Sequence, residues 1–133
     1  VFEVGPNVRL TLLNVTIVQG RSDRGGGLFN DRGFVSLLDC TFAGNSAVGT
    51  NSPVARPDLD LGEGQPGGDA FGGGIFNRGW LYITNSIFVT NRALGSLGPA
   101  NAVKFAGGHG GNSHGGAICN DGGRVTIVAS TCS

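Results

Sequence analysis

Apolar and polar positions recur along this chain in a fixed order. Four runs align without gaps over their common length: LTLLNVTIVQG (10–20), VSLLDCTFAGN (35–45), LYITNSIFVTN (81–91) and VTIVASTCS (125–133). Leu10, Val35, Leu81 and Val125 share one column; Leu12, Leu37, Ile83 and Ile127 share another. Thr11, Ser36, Tyr82 and Thr126 stand between them. Alternation of this kind has a period of two, so each run predicts a strand with one face inward. Ile17, Phe42, Phe88 and Cys132 form a second inward stripe, on a second strand. The column between the two strands is Asn14, Asp39, Asn85 and Ala129. It predicts a bend, because Asn and Asp bond nearby backbone and tolerate left-handed geometry.

A glycine phrase precedes each of the last three runs: GGGLFN (25–30), GGGIFN (72–77) and GGAICN (115–120). Phrase start to run start is 10, 9 and 10 residues. Leu28, Ile75 and Ile118 predict a third apolar strand, closed by Asn30, Asn77 and Asn120 and then by the turn residues DRG, RG and DGG. The paired glycines predict a tight corner or positive φ. The first repeat spans about 25 residues, and the later ones lengthen through insertions at 46–71 and 92–114, both after the run and before the glycine phrase.

A repeat this short buries too little to fold alone and must stack on copies of itself. Three short strands per repeat make one coil of a parallel β-helix, with copies about 4.8 Å apart. The fold class expected is therefore all-β: a solenoid of about four coils, three strands each, with two long insertions on one edge. An antiparallel sandwich of hairpins is the rival, but it does not require same-sense columns in register.

Composition narrows the picture. At 133 residues the chain has the size of one domain, and it reads as a single β-helix piece (1–133) of a longer protein, since it opens mid-phrase at VFEVGPNVRL and contains no Met. The formal net charge is zero and only 14% of residues are charged, which argues against a nucleic-acid partner or a polybasic membrane anchor. No apolar run reaches the roughly 20 residues of a membrane helix. The 26 glycines would fit a disordered chain, but 39% apolar residues gathered in runs argue for a packed one.

GGGL, GGGI and GGAI, answered downstream by FAGN (42–45) or FVTN (88–91), resemble the GGA[ILV]…FxxN repeat of polymorphic outer-membrane proteins, which are autotransporter-type adhesins. The likeness covers residues 10–133; VTIVQG (15–20) and ASTCS (129–133) depart from the FxxN ending. It implies a right-handed, pectin-lyase-like parallel β-helix at the cell surface or outside the cell, a bacterial source and no cofactor. It says little of function, because such coils serve lyases, hydrolases, tailspikes and adhesins alike.

Candidate chemistry concentrates in the insertions. Asp58, Asp60, Glu63 and Asp69 lie within twelve residues, and oxygens at alternate positions suit calcium, yet the segment matches no calcium-loop pattern and reads as a solvated polar loop. His109 and His114 lie five apart in a glycine loop without Cys or carboxylate neighbours in sequence, a poor metal set. Asp31, Asp39 and Asp121 read as turn residues. Arg32, Arg78 and Arg124 occupy similar turn positions and predict a weak basic stripe on one edge. Cys40, aligned with Val15, Ser86 and Ser130, reads as a small buried thiol. Cys119 stands in the column of Phe29 and Phe76, and Cys132 in that of Phe42 and Phe88. They are two separate apolar fillers or, if those columns meet across the interior, a disulfide.

Three function classes follow. The first is a non-enzymatic surface module, adhesin- or stalk-like, whose loops (Asp58, Asp60, Glu63, Asp69, His109, His114) bind a glycan or a surface protein. The second is a carbohydrate-active domain, lyase or hydrolase, which needs two or more carboxylates together on an exposed strand face. The third is a structural spacer between flanking coils.

Overall fold

The computed structural model describes residues 1–50, 66–98 and 108–133. Among them the chain is all-β, with 17 strands, every one paired in parallel, and no helix. Sheet A contains Phe2–Val4, Leu28–Asn30, Ile75–Asn77 and Ile118–Asn120. Sheet B contains Arg9–Leu13, Phe34–Leu38, Trp80–Thr84 and Arg124–Val128; sheet C contains Thr16–Val18, Thr41–Ala43, Ile87–Val89 and Thr131–Cys132. In each sheet the neighbours follow sequence order, so the chain visits A, B and C in turn and then returns to A one rung on. This is the arrangement of a parallel β-solenoid.

The register is the sequence alignment itself. Leu10, Val35, Leu81 and Val125 pair as one ladder in sheet B, and Ile17, Phe42, Phe88 and Cys132 pair as another in sheet C. Leu28, Val35, Leu37, Phe42, Ile75, Leu81, Ile83 and Phe88 are buried in one core cluster. Each such side chain contributes roughly 1.5–3 kcal/mol on leaving water. Phe42 and Phe88 stack inside, with centroids 5.0 Å apart and planes 13° from parallel.

Corners are made by residues in the left-handed region. Asn14, Asp39, Asn85 and Ala129 all have φ between 48° and 54°. Gly25, Gly72 and Gly115, the first residue of each glycine phrase, have φ of 59°, 63° and 61°. A further corner, Gln19, Gly44 and Thr90, carries no common residue type and is invisible in the pattern.

Buried asparagines join the rungs. Asn30 donates to Asn77 Oδ1 at 2.7 Å and Asn77 to Asn120 Oδ1 at 2.8 Å. The Asn of FxxN does the same two corners on: Asn45 donates to Asn91 Oδ1 at 2.9 Å and Asn91 to the Phe42 carbonyl at 2.8 Å. The motif is thus a hydrogen-bond device, in which Phe fills the core and Asn satisfies backbone at the turn.

Two sheets go beyond the three strands per repeat expected from the sequence. Sheet D (Arg21–Ser22, Ser46–Val48, Arg92–Leu94) joins the short link of the first repeat to the starts of the two insertions, and sheet E (Ala70–Phe71, Ser113–His114) lies at their ends. Strands of two or three residues show no readable alternation; stacking of rungs, not local pattern, creates them.

Candidate functional site

The insertions are tied together at their roots. Ala70 and Phe71 pair with Ser113 and His114. The Gly67 N–H donates to the His109 carbonyl at 2.7 Å, the Ser96 N–H to the Gly68 carbonyl at 3.0 Å, and the Asn112 N–H to the Asp69 carboxylate at 2.6 Å. Gly95 N–H donates to Ser113 Oγ at 2.8 Å. Both insertions therefore leave the scaffold from adjacent rungs.

Of the loop residues singled out above, Asp69, His109 and His114 are described, and all three are exposed. Asp58, Asp60 and Glu63 lie outside the described residues. His114 stacks on Phe71, with centroids 4.8 Å apart and planes 5° from parallel. Phe71 in turn contacts Phe76, 5.5 Å away, and Phe76 contacts Phe29 at 5.4 Å. Phe29 and Phe76 lie on the face of sheet A opposite the inward Leu28 and Ile75, and Phe71 and His114 of sheet E continue the row, covering Phe76, which is buried.

That placement separates the last two cysteines. Cys119 pairs with Phe76 on the outer side of sheet A, while Cys132 pairs with Phe88 in sheet C. The two phenylalanine columns stack separately, and Cys119 and Cys132 are free thiols, so the disulfide alternative does not form. Burial pushes the Cys119 thiol up from its usual range, and the Asp121 carboxylate adds to the shift. Cys40 is buried, its thiol donating to the Leu38 carbonyl at 3.2 Å.

The turn aspartates are held by partners. Asp39 accepts a short hydrogen bond from the Asn85 amide at its corner. Asp31 pairs with Arg32 at 3.3 Å and Arg78 at 4.0 Å; Asp121 pairs with Arg78 at 3.4 Å. Asp31, Arg78 and Asp121 thus alternate in sign up one corner.

Beside this charged ladder runs another. Arg9, Phe34, Trp80 and Arg124 occupy one column of sheet B. The Arg9 guanidinium lies 4.7 Å from the Phe34 centroid, Phe34 stacks on Trp80 at 6.1 Å, and Arg124 lies 5.3 Å from the Trp80 centroid. Two cations therefore cap a two-ring stack, each attracted by the ring quadrupole.

Between the ladders is a cavity of about 340 Å³, lined by Arg32, Arg78, Gly79, Trp80, Gly122, Gly123 and Arg124. Its origin is a missing residue. The links from sheet A to sheet B have four, three, two and three residues in successive rungs. Asn7, Arg32 and Gly122 supply a left-handed residue in three of them, with φ of 64°, 64° and 73°, and the Arg78–Gly79 link has none. The notch lies at this short link, and Arg32, Gly122, Gly123 and Arg124 of the neighbouring rungs wall it. The expected basic stripe is thus gathered round one hollow. Trp80 was not singled out by the sequence reading; the signals for it were the nine-residue spacing and the shared column.

Fold and sites together define, among the described residues, an all-β protein of stacked parallel sheets. No protein-family model, curated protein or solved structure matches the chain. The likeness to the polymorphic outer-membrane repeats rests on the quoted motifs.

Proposed function

We propose that the chain is part of a right-handed β-helix of about four coils, in a non-enzymatic secreted or cell-surface module that presents its insertions, 46–71 and 92–114, to a glycan or a protein. The observation that carries this reading is the pairing of the two insertion roots, through sheet E and the Asp69–Asn112 bond. A rigid scaffold with loops anchored side by side is the usual construction of a binding face. A spacer has no use for roots built in this way. The partners of Asp31, Asp39 and Asp121 also favour binding over hydrolysis, because a carboxylate that shuttles protons must be free to face substrate.

The test replaces both insertions with the four-residue link of the first repeat, RSDR (21–24). The variant is compared with the parent chain on arrays of glycans and surface proteins, with depolymerisation assayed in parallel. Loss of binding with the β-sheet circular dichroism retained is the expected result. Undiminished binding sinks the loop reading, and depolymerisation by the parent chain replaces it with the carbohydrate-active one.

A further inference from the structure

The notch between sheets A and B belongs to a different part of the molecule from the insertions, and none of its lining residues falls within 46–71 or 92–114. Its lining holds three guanidiniums, Arg32, Arg78 and Arg124, and no carboxylate. Asp31 and Asp121 are not part of the lining; they pair with Arg32 and Arg78 through solvent-accessible contacts. Such pairs are weak and leave N–H donors over for a ligand. Among the described residues Arg124 has no carboxylate partner; the Trp80 ring positions it instead.

We propose that this notch binds an acidic sugar, a carboxylate- or sulfate-bearing ring within a polysaccharide. The Arg forks match the two oxygens of such a group, a geometry that a point-charge ammonium does not reproduce. Gly122 and Gly123 put backbone without side chains in the wall, within reach of sugar hydroxyls, whereas the Gly79 N–H and C=O are already bonded to Asn77 and to the Arg124 N–H. Trp80, 42% exposed, carries Phe34 and Arg124 against its ring and offers its indole edge to the C–H groups of the sugar. A volume of about 340 Å³ is at the small end of ligand pockets, suited to one ring at a time. A nucleic acid fits less well, since the cationic surface is short, two aspartates flank it and the whole chain is neutral. The site stands independently of the insertions, so the loop-shortened protein retains it.

The experiment is calorimetric titration of the full chain with oligogalacturonate, which carries only carboxylates, and with heparin oligosaccharides, which add sulfates. Methyl-esterified oligogalacturonate and polyglutamate are the comparisons. Binding of one or both acidic sugars is expected, weakening with salt and absent for the neutral ester. Arg32→Gln and Arg124→Gln should each weaken it about tenfold, the equivalent of one charge-assisted contact. Trp80→Ala should do at least as much, because it also frees Arg124. Inserting one glycine after Arg78 restores the three-residue link, fills the notch and should abolish binding with every guanidinium still present. Melting curves of the four variants establish that each is folded.

Several results overturn the proposal: no acidic sugar bound at millimolar concentration, equal affinity for the neutral ester, or polyglutamate bound as tightly as the sugars. Unaltered binding by the folded arginine variants, or by the glycine insertion, does so as well.

Discussion

Asn30 and Asn77 lie 47 residues apart in sequence, yet the amide of one donates to the other across 2.7 Å in the interior. Asn77 also donates to the Gly79 carbonyl and to Asn120, and accepts from the Gly79 N–H. One side chain thereby closes its own turn and joins the rungs on both sides. Replacing it by Ala strands several buried polar groups at once. Asn77→Ala should cost about 2–3 kcal/mol, the penalty for buried polar atoms left without partners. Urea denaturation checks it: the midpoint should fall with the slope unchanged.

The two phenylalanine columns should respond unequally. Phe88→Ala opens a cavity in the interior against Phe42 and should destabilise by about 3–5 kcal/mol. Phe76 is buried too, but under the rings of Phe71 and Phe29 and outside the interior cluster, where those rings can shift into the gap. Phe76→Ala should cost measurably less. Equal losses in thermal unfolding would contradict the assignment of the two faces.

Glycine is required at some positions by space and at others only by conformation. A Cβ on Gly73 would collide with the Gly116 carbonyl and the Arg92 backbone, so Gly73→Ala should prevent folding or leave only aggregated protein. Gly44 has φ of 62° and nothing nearer to a Cβ than Thr90 Oγ1 at 4.0 Å, and the same column holds Gln19 and Thr90. Gly44→Asn should therefore remain within about 1 kcal/mol of the parent, since Asn tolerates the left-handed region. Expression yield and melting temperature of the two variants make the comparison.

The cysteines should alkylate in an order set by structure. Cys132 is exposed and should react first with iodoacetamide; Cys40 is buried and should react only on unfolding. Both causes acting on Cys119, burial and the Asp121 charge, disfavour the thiolate. Its thiolate fraction at a given pH is therefore below that of an ordinary cysteine, and its alkylation should rise at higher pH. Asp121→Asn removes the second cause and should move the rise to lower pH. Mass spectrometry of labelled peptides across pH 7–10 reads all three sites, and a Cys119 profile indifferent to Asp121→Asn would count against the electrostatic contribution.

Much of this fold was legible without coordinates, and the reason is the repeat. Leu10, Val35, Leu81 and Val125 align because parallel rungs must place equal residues at equal positions, so alignment and hydrogen-bond register are one statement. Left-handed corners at Asn14, Asp39 and Asn85 were readable for the same reason. Sheets D and E were not, because two- and three-residue strands carry no period and exist only through their neighbours above and below. The face on which Phe29, Phe76 and Cys119 lie was equally undecided, since adjacent apolar residues in a strand point opposite ways and composition does not say which is inward. The notch is the sharpest case. The sequence by itself determined that the third repeat is one residue short and that Arg32 and Arg78 fall in turns; Arg124, expected in a turn, instead opens the strand Arg124–Val128. Only the tertiary structure decided that a hollow lies at the short link, that Trp80 holds Arg124, and that the three guanidiniums surround that hollow. Distances between rungs are set by backbone pairing across some 45 residues of chain, and no local pattern encodes them.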